Sequence, residues 1–293
     1  MTVIHILLAG LLLLSGVFSR GGDLSAAAAR TAQEPAAPVE IPMELLANRP
    51  LIRVTVNGEG PFAFLIAPEE QRTLIDAELA EALKLRPARD GAPEIVADVG
   101  FGANQTVKIP IAVQDIARFT SELGRTTRLR GVISLSAWKD QLVTFDYSHW
   151  RVTLLPGSLP EPNGKDVFAL NSSNELRLAL SVAEQSLECR VDPLFPGGLV
   201  LPASSVGPLQ TTGEPRDNGS IKTPEGIVRV REARLKTDVM LGPFELKTPL
   251  VLLAESGGTA TVGSPWLARF SVTYDVANAR VRLQRQAGSV TRR

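Results

Sequence analysis

The sequence predicts a mainly β protein made of two duplicated, β-barrel-like lobes with short helices. Three observations predict it. Gly131-Val-Ile-Ser-Leu-Ser-Ala-Trp-Lys-Asp-Gln-Leu-Val-Thr-Phe-Asp-Tyr-Ser-His-Trp-Arg-Val-Thr-Leu154 has an ungapped partner in Ala260-Thr-Val-Gly-Ser-Pro-Trp-Leu-Ala-Arg-Phe-Ser-Val-Thr-Tyr-Asp-Val-Ala-Asn-Ala-Arg-Val-Arg-Leu283. Val-Thr-aromatic-Asp and Arg-Val-x-Leu recur between them at a constant offset of 129, and an internal repeat decides architecture before any local signal does. A second frame recurs in Leu65-Ile-Ala-Pro-Glu-Glu-Gln-Arg-Thr-Leu-Ile-Asp76 and Arg190-Val-Asp-Pro-Leu-Phe-Pro-Gly-Gly-Leu-Val-Leu-Pro202. Each has an apolar lead-in, a turn, and a Leu seven places after the key position: Ala67 to Leu74, and Asp192 to Leu199. Between the halves, Pro156, Gly157, Pro160, Pro162 and Gly164 mark a linker.

These signals set the boundaries: an N-terminal lobe over 41–155, a linker over 156–165, a C-terminal lobe over 166–286 and a tail over 287–293. Within the first lobe, Leu51–Val56, Asn57–Pro61 and Phe62–Ile66 read as strand, turn and strand, with Asn-Gly as the hairpin signal. Asp76 caps a short helix, Ala77–Leu85, whose Leu79 and Leu83 share one face. Strand-like runs at Glu94–Val99 and Val107–Val113 form a second hairpin. The duplicated segment ends each lobe in a hairpin that turns at Tyr147–His149 or Val276–Ala279.

At the N-terminus, Ile4–Leu14 is an apolar run too short to span a bilayer as a helix. It suits a signal-peptide core, although no Lys or Arg precedes it. Residues 1–29 are therefore expected to be a signal peptide or an N-terminal anchor, and 30–40 a flexible tether rich in Ala, Pro and Glu. The expected location is exported, periplasmic or extracellular. Membrane attachment is expected only through an uncleaved leader.

Composition narrows function. Over 293 residues, 31 basic side chains balance 31 acidic ones, so no global field draws nucleic acid or an anionic membrane. Arg118, Arg125, Arg128 and Arg130 cluster in sequence, and such runs are usually solvated loops. Cys189 is the only cysteine, which excludes an intrachain disulfide and a Cys-rich zinc site; in its apolar run it reads as a small core residue. His149 is the only histidine beyond the leader, and no Gly-x-Ser-x-Gly elbow accompanies it. Gly197-Gly198 and Gly257-Gly258 lack the Lys or following helix of a phosphate loop. Asp146 and Asp275 recur as a pair but belong to the duplicated strand ends and read as hairpin residues. Trp138, Trp150 and Trp266 read as core or rim aromatics. No cofactor and no metal is implied.

The two-lobed chain resembles the pepsin-like and retropepsin-like aspartic proteases, especially the exported bacterial kind, over roughly Glu40–Arg285. Val-Asn-Gly-Glu-Gly-Pro-Phe before Ala67 looks like that family's entry hairpin. Pro196-Gly-Gly-Leu-Val-Leu-Pro202 looks like the stretch after its second Asp-Thr-Gly. Thr261-Val-Gly263 fits the later apolar-apolar-Gly motif, and Val132-Ile-Ser134 fits it with Ser for Gly. The resemblance implies a bilobal aspartic-protease-like fold, and a flap hairpin at Ala97–Val113 over a cleft between the lobes.

That chemistry needs two carboxylates sharing one proton, because like charges so close cannot both ionise. Here the first Asp is replaced by Ala67. Pro68 and Pro193 stand where the family has threonine, and Glu69 and Leu194 where it has glycine. A turn needing φ > 0 is expected to be strained at those last two. Asp192 is the one retained acid and has two readings: a group that binds a cationic or hydrogen-bonding ligand, or a structural acceptor of loop N–H bonds, which is preferred. Glu69 and Glu70 are candidates for a substitute acid across the cleft. The expected function is an exported, catalytically inactive protein that binds a peptide or protein segment in the interlobe cleft. The alternatives are an endopeptidase using Asp192 with Glu69 or Glu70, and an assembly protein with no cleft ligand.

Overall fold

Alternation of apolar and polar residues, dense in Val, Ile and Leu, favours strands throughout the chain. The computed structural model describes residues 37–86, 94–102, 105–120, 128–183, 185–207, 210–223, 226–256 and 258–286, all within one compact unit, Ala36–Arg293. The expected leader, Arg125 and the 287–293 tail lie outside the described residues. The expected tether ends early: its last two residues already belong to the first strand.

The first half contains β1 (Val39–Leu46), β2 (Arg49–Val56), β3 (Glu59–Ala67), β4 (Thr73–Ile75), β5 (Ile95–Phe101), β6 (Gln105–Val113), β7 (Leu129–Ser134), β8 (Leu142–Asp146) and β9 (Arg151–Leu155). Two short helices, α1 (Ala77–Ala82) and α2 (Ala117–Thr120), sit among them. The second half contains β10 (Val167–Ala169), β11 (Leu176–Val182), β12 (Gln185–Asp192), β13 (Leu199–Pro202), β14 (Arg216–Thr223), β15 (Gly226–Arg234), β16 (Val239–Leu241), β17 (Phe244–Leu246), β18 (Leu250–Ala254), β19 (Ala260–Gly263), β20 (Phe270–Asp275) and β21 (Arg280–Arg285), with α3 at Ser264–Leu267.

The two halves repeat one strand order. In the first it runs β5-β6-β4-β7-β3-β2, and in the second β15-β18-β13-β19-β12-β11. The hand of each pairing repeats too: β3 with β7 and β12 with β19 are parallel, while β7 with β4 and β19 with β13 are antiparallel. Pairing of β2 with β5 closes the first six strands into a barrel. The second set departs from the expected barrel: β11 pairs onward with β16 and β15 with β14, so its sheet stays open. A third, antiparallel run, β10-β21-β20-β8-β9-β1, joins the halves. There the duplicated strands β8 and β20 lie side by side, and Thr144 Oγ1 and Thr273 Oγ1 meet at 2.9 Å.

Local chemistry explains the elements that hold the site. Asn57 and Gly58 both take positive φ, 51° and 83°, which lets a tight turn join β2 to β3. Asp76 caps α1 by accepting from Leu79 N at 2.8 Å and pairs with Arg130 at 2.8 Å. The helix ends at Ala82 rather than Leu85, with Leu79 buried and Leu83 packed on the core. Along β11, Leu176, Leu178, Leu180 and Val182 alternate inward, the period-two pattern of a half-buried strand. Cys189 lies in the core as expected, and burial pushes its thiol up to about 12. Trp138 packs on Phe101 at 4.9 Å and Trp266 on Phe270 at 4.6 Å, while Trp150 is half exposed in the β8–β9 turn.

The expected linker is held in place: Leu159 is buried, its N–H reaches Asp275 Oδ2 at 2.8 Å, and its carbonyl accepts from Arg280 at 2.7 Å. Asp146 and Asp275 serve turns. Asp146 accepts from Ser148 and His149 and Asp275 from Asn278; against burial, which raises it, those bonds hold the Asp146 carboxyl at about 2. No helix among the described residues is long and apolar enough to cross a membrane.

Candidate functional site

β3 and β12 each deliver the chain into a four-residue turn. In the first, Glu70 N donates to Ala67 O at 3.2 Å; in the second, Phe195 N donates to Asp192 O at 3.1 Å. Pro68 and Pro193 occupy the second position of each turn, where a fixed φ near −65° suits the common turn types. This corrects the expected strain: neither Glu69 nor Leu194 adopts positive φ. Proline re-forms each loop as an ordinary turn, so no left-handed residue is needed.

Asp192 caps its own turn. Oδ1 accepts from Leu194 N at 2.8 Å and Phe195 N at 3.2 Å, the structural role preferred for it. Oδ2 lies 3.6 Å from Arg190 Nη2. Ala67 supplies no such acceptor. In its turn Ser134, which stands opposite Ala67 on β7, donates from Oγ to Glu70 O at 2.5 Å. Opposite Asp192 on β19 stands Gly263, where an added Cβ would lie 2.2 Å from Phe195 O and 2.3 Å from Gly197 O. The β1–β2 turn reaches across as well: Asn48 Nδ2 donates to Pro196 O at 3.0 Å, and Asn48 O accepts from Ser264 Oγ.

The two turns face a shared cavity of about 590 Å³. Ala67, Pro68, Glu69 and Glu70 line one wall, and Asp192 to Pro196 line the other, with Arg190 between them and Arg49, Arg118 and Phe119 beside them. Arg190 is the centre of the charge pattern. Its Nη2 pairs with Glu69 Oε2 as well as approaching Asp192, and its Nε lies 3.5 Å from Glu175 Oε1. Burial first, and then the Asp192 charge, push Glu69 up to about 7, against the opposing Arg190 bond. Although burial raises Glu175, bonds from Asn171 and Arg177 hold it below the usual range. Glu70 pairs with Arg118 at 2.7 Å.

The structure therefore brings Asp192, Glu69 and Glu70 to one cavity and leaves others out. None of the described residues of the β5–β6 hairpin, the expected flap, lines it; Phe101 is buried and pairs with Val54 in the barrel wall. Of the arginine cluster, Arg118, Arg128 and Arg130 are ion-paired to Glu70, Glu78 and Asp76. Sequence reasoning missed Arg190 and Glu175. The available signal was a guanidinium two residues before Asp192 on the same face of a strand. Among the described residues no group of three or more His, Cys, Asp or Glu is placed to hold a metal ion.

No family model matches the chain, and no curated protein matches it. It is similar to the crystal structure of basic 7S globulin from soybean, at 10% identity and a TM-score of 0.48, over 85% of this chain and 95% of that one. A likeness so weak carries no argument. Membership of the pepsin-like and retropepsin-like aspartic proteases, expected from the motifs, is withdrawn: no family model supports it. The site agrees, with a methyl group at Ala67 and a guanidinium between the acids that remain.

Proposed function

We propose that the chain is an exported, non-catalytic binding protein whose two halves act as lobes, and that it takes a peptide or protein segment into the cleft between their turns. One observation carries the reading: Arg190 sits against both Glu69 and Asp192, so a guanidinium stands between the acids nearest the cavity where a catalytic pair would lie directly against each other. The cavity volume falls in the range of ligand sites, and its walls mix apolar surface with a few polar groups. Leu194, Phe195 and Phe119 supply apolar surface to a side chain.

A second reading has its own support. A carboxyl held near 7, as Glu69 is, stays largely protonated in mild acid, as a general acid requires. Glu69 would then work with Asp192 as a hydrolase, while Glu70 is committed to Arg118. The test is to incubate the full chain with a mixed peptide substrate from acid to neutral pH, and to follow retention and cleavage together. Retention without cleavage is the expected result. Cleavage that disappears in both Glu69→Gln and Asp192→Asn would overturn the non-catalytic reading.

A further inference from the structure

Charge is not balanced at the base of the cavity. Glu69, Asp192 and Glu175 all lie against Arg190. Arg177, the second guanidinium, is shared between Glu175 at 3.1 Å and Glu188 at 2.5 Å. Four carboxylates thus meet two guanidinium groups. Glu188 is well exposed and hydrated, so the uncompensated charge falls on Glu69 and Asp192, whose side chains are four-fifths buried. Two more guanidinium groups line the cavity: Arg118 pairs with Glu70, and Arg49 donates to Phe119 O at 3.0 Å.

The backbone answers only one of the four oxygens of Glu69 and Asp192: the N–H groups of Leu194 and Phe195 both go to Asp192 Oδ1. Pro68, Pro193 and Pro196 line the cavity, and proline has no N–H to offer a carboxylate. Glu69 Oε1 is buried without a hydrogen-bond partner, and Asp192 Oδ2 meets Arg190 only at 3.6 Å. A buried acceptor left unpaired is costly, and a charged one more so. An anionic ligand would meet this excess of like charge. A cation would relieve it, and the apolar residues around the acids suit the methylene stem of a long basic side chain.

Resting on the reading of the cavity as a peptide-binding cleft, we infer that the bound segment carries a lysine or arginine, its cation set against Asp192 and Glu69 and its stem against Leu194 and Phe119. The raised Glu69 carboxyl fits this arrangement: it holds a proton for want of a second cation, and Arg190, Asp192, Glu175 and the buried Tyr274 are the titratable groups that interact with it.

The test uses the full chain and a pool of random decapeptides, acetylated and amidated at their ends so that only side chains carry charge. The pH is set above the Glu69 value of about 7. Retained peptides should be enriched in Lys and Arg by about tenfold, equivalent to about 1.4 kcal/mol. Acetylating the lysines should remove their share. Asp192→Asn keeps an oxygen for the turn N–H groups and removes the charge, and Glu69→Gln keeps the shape; each should cut the enrichment while peptides are still retained. Should Asp192→Asn fail to fold, Glu69→Gln decides the matter alone. Retention with no preference for Lys or Arg overturns this inference and leaves the cleft reading standing. No retention at all overturns both.

Discussion

The turn at Ala67–Glu70 and the turn at Asp192–Phe195 share a backbone bond, a proline and a place in the strand order, yet they are secured in opposite ways. The second holds itself: the Asp192 carboxylate accepts the N–H groups of Leu194 and Phe195, and bare Gly263 lets the chain close to within van der Waals contact. The first is held from outside, by the Ser134 hydroxyl on Glu70 O and by the Glu70–Arg118 pair. Where the turn supplies its own acceptor, the facing residue is stripped to a hydrogen. Where the turn supplies only a methyl group, the facing residue brings the hydrogen bond. The same backbone frame leaves one turn of the cavity held by its own carboxylate and makes the other depend on its neighbours.

Gly263→Ser, which copies the first turn into the second, breaks this comparison most severely. A Cβ so near two backbone carbonyls must displace the turn, and the loss should fall at the upper end of the cost of over-packing, about 3 kcal/mol. Urea denaturation should show that loss; a change of only a few tenths would mean that close approach is not what secures the second turn.

The next largest effect separates the walls by charge. Glu69 is raised in the folded state from an ordinary value of 4.5 to about 7. A raised carboxyl contributes stability that is full below 4.5 and is lost as pH rises toward 7, here at most about 3 kcal/mol. Thermal melts across that window should therefore fall with pH in the native chain and flatten in Glu69→Gln. A slope that persists unchanged in the variant would assign it to another group. Smaller again is Asp192→Ala, which leaves the turn N–H groups without their acceptor and should cost about 1–2 kcal/mol. Asp192→Asn, which retains an oxygen there, should cost less than half as much, and equal losses would show that charge rather than the cap holds the turn.

Much of this arrangement was legible in the sequence, because repeats and turns are local. The 129-residue offset matched β7 to β9 with β19 to β21 as equivalent strands; Asn57-Gly58 and Asp76 located a hairpin and a cap; Cys189 belonged in the core. The turn prolines are visible in the sequence, but their effect on the residues after them is not. Strain is expected at Glu69 and Leu194, in a left-handed loop, whereas the prolines rebuild the loop with ordinary φ. What sequence could not give is non-local. The β2–β5 closure, the open second sheet and the Arg190–Glu69 pair each depend on which strand lies beside which. Arg190 and Glu69 are 121 residues apart, and no periodicity joins them. The position of the β5–β6 hairpin in the barrel wall was out of reach for the same reason.

The smallest effect tests whether the first wall really depends on its surroundings. The Arg118 side chain is half exposed in its pair with Glu70, and pairs of this kind are typically worth about 0.5 kcal/mol and are screened by salt. Arg118→Ala should therefore shift the urea midpoint only slightly, and raising salt should erase the difference. Ser134→Ala removes the buried hydroxyl that holds Glu70 O and should cost more, about 1 kcal/mol, regardless of salt. If Arg118 proved the costlier loss, the first turn would be anchored through its acid side chain. The two walls of the cleft would then be secured alike, each by a carboxylate.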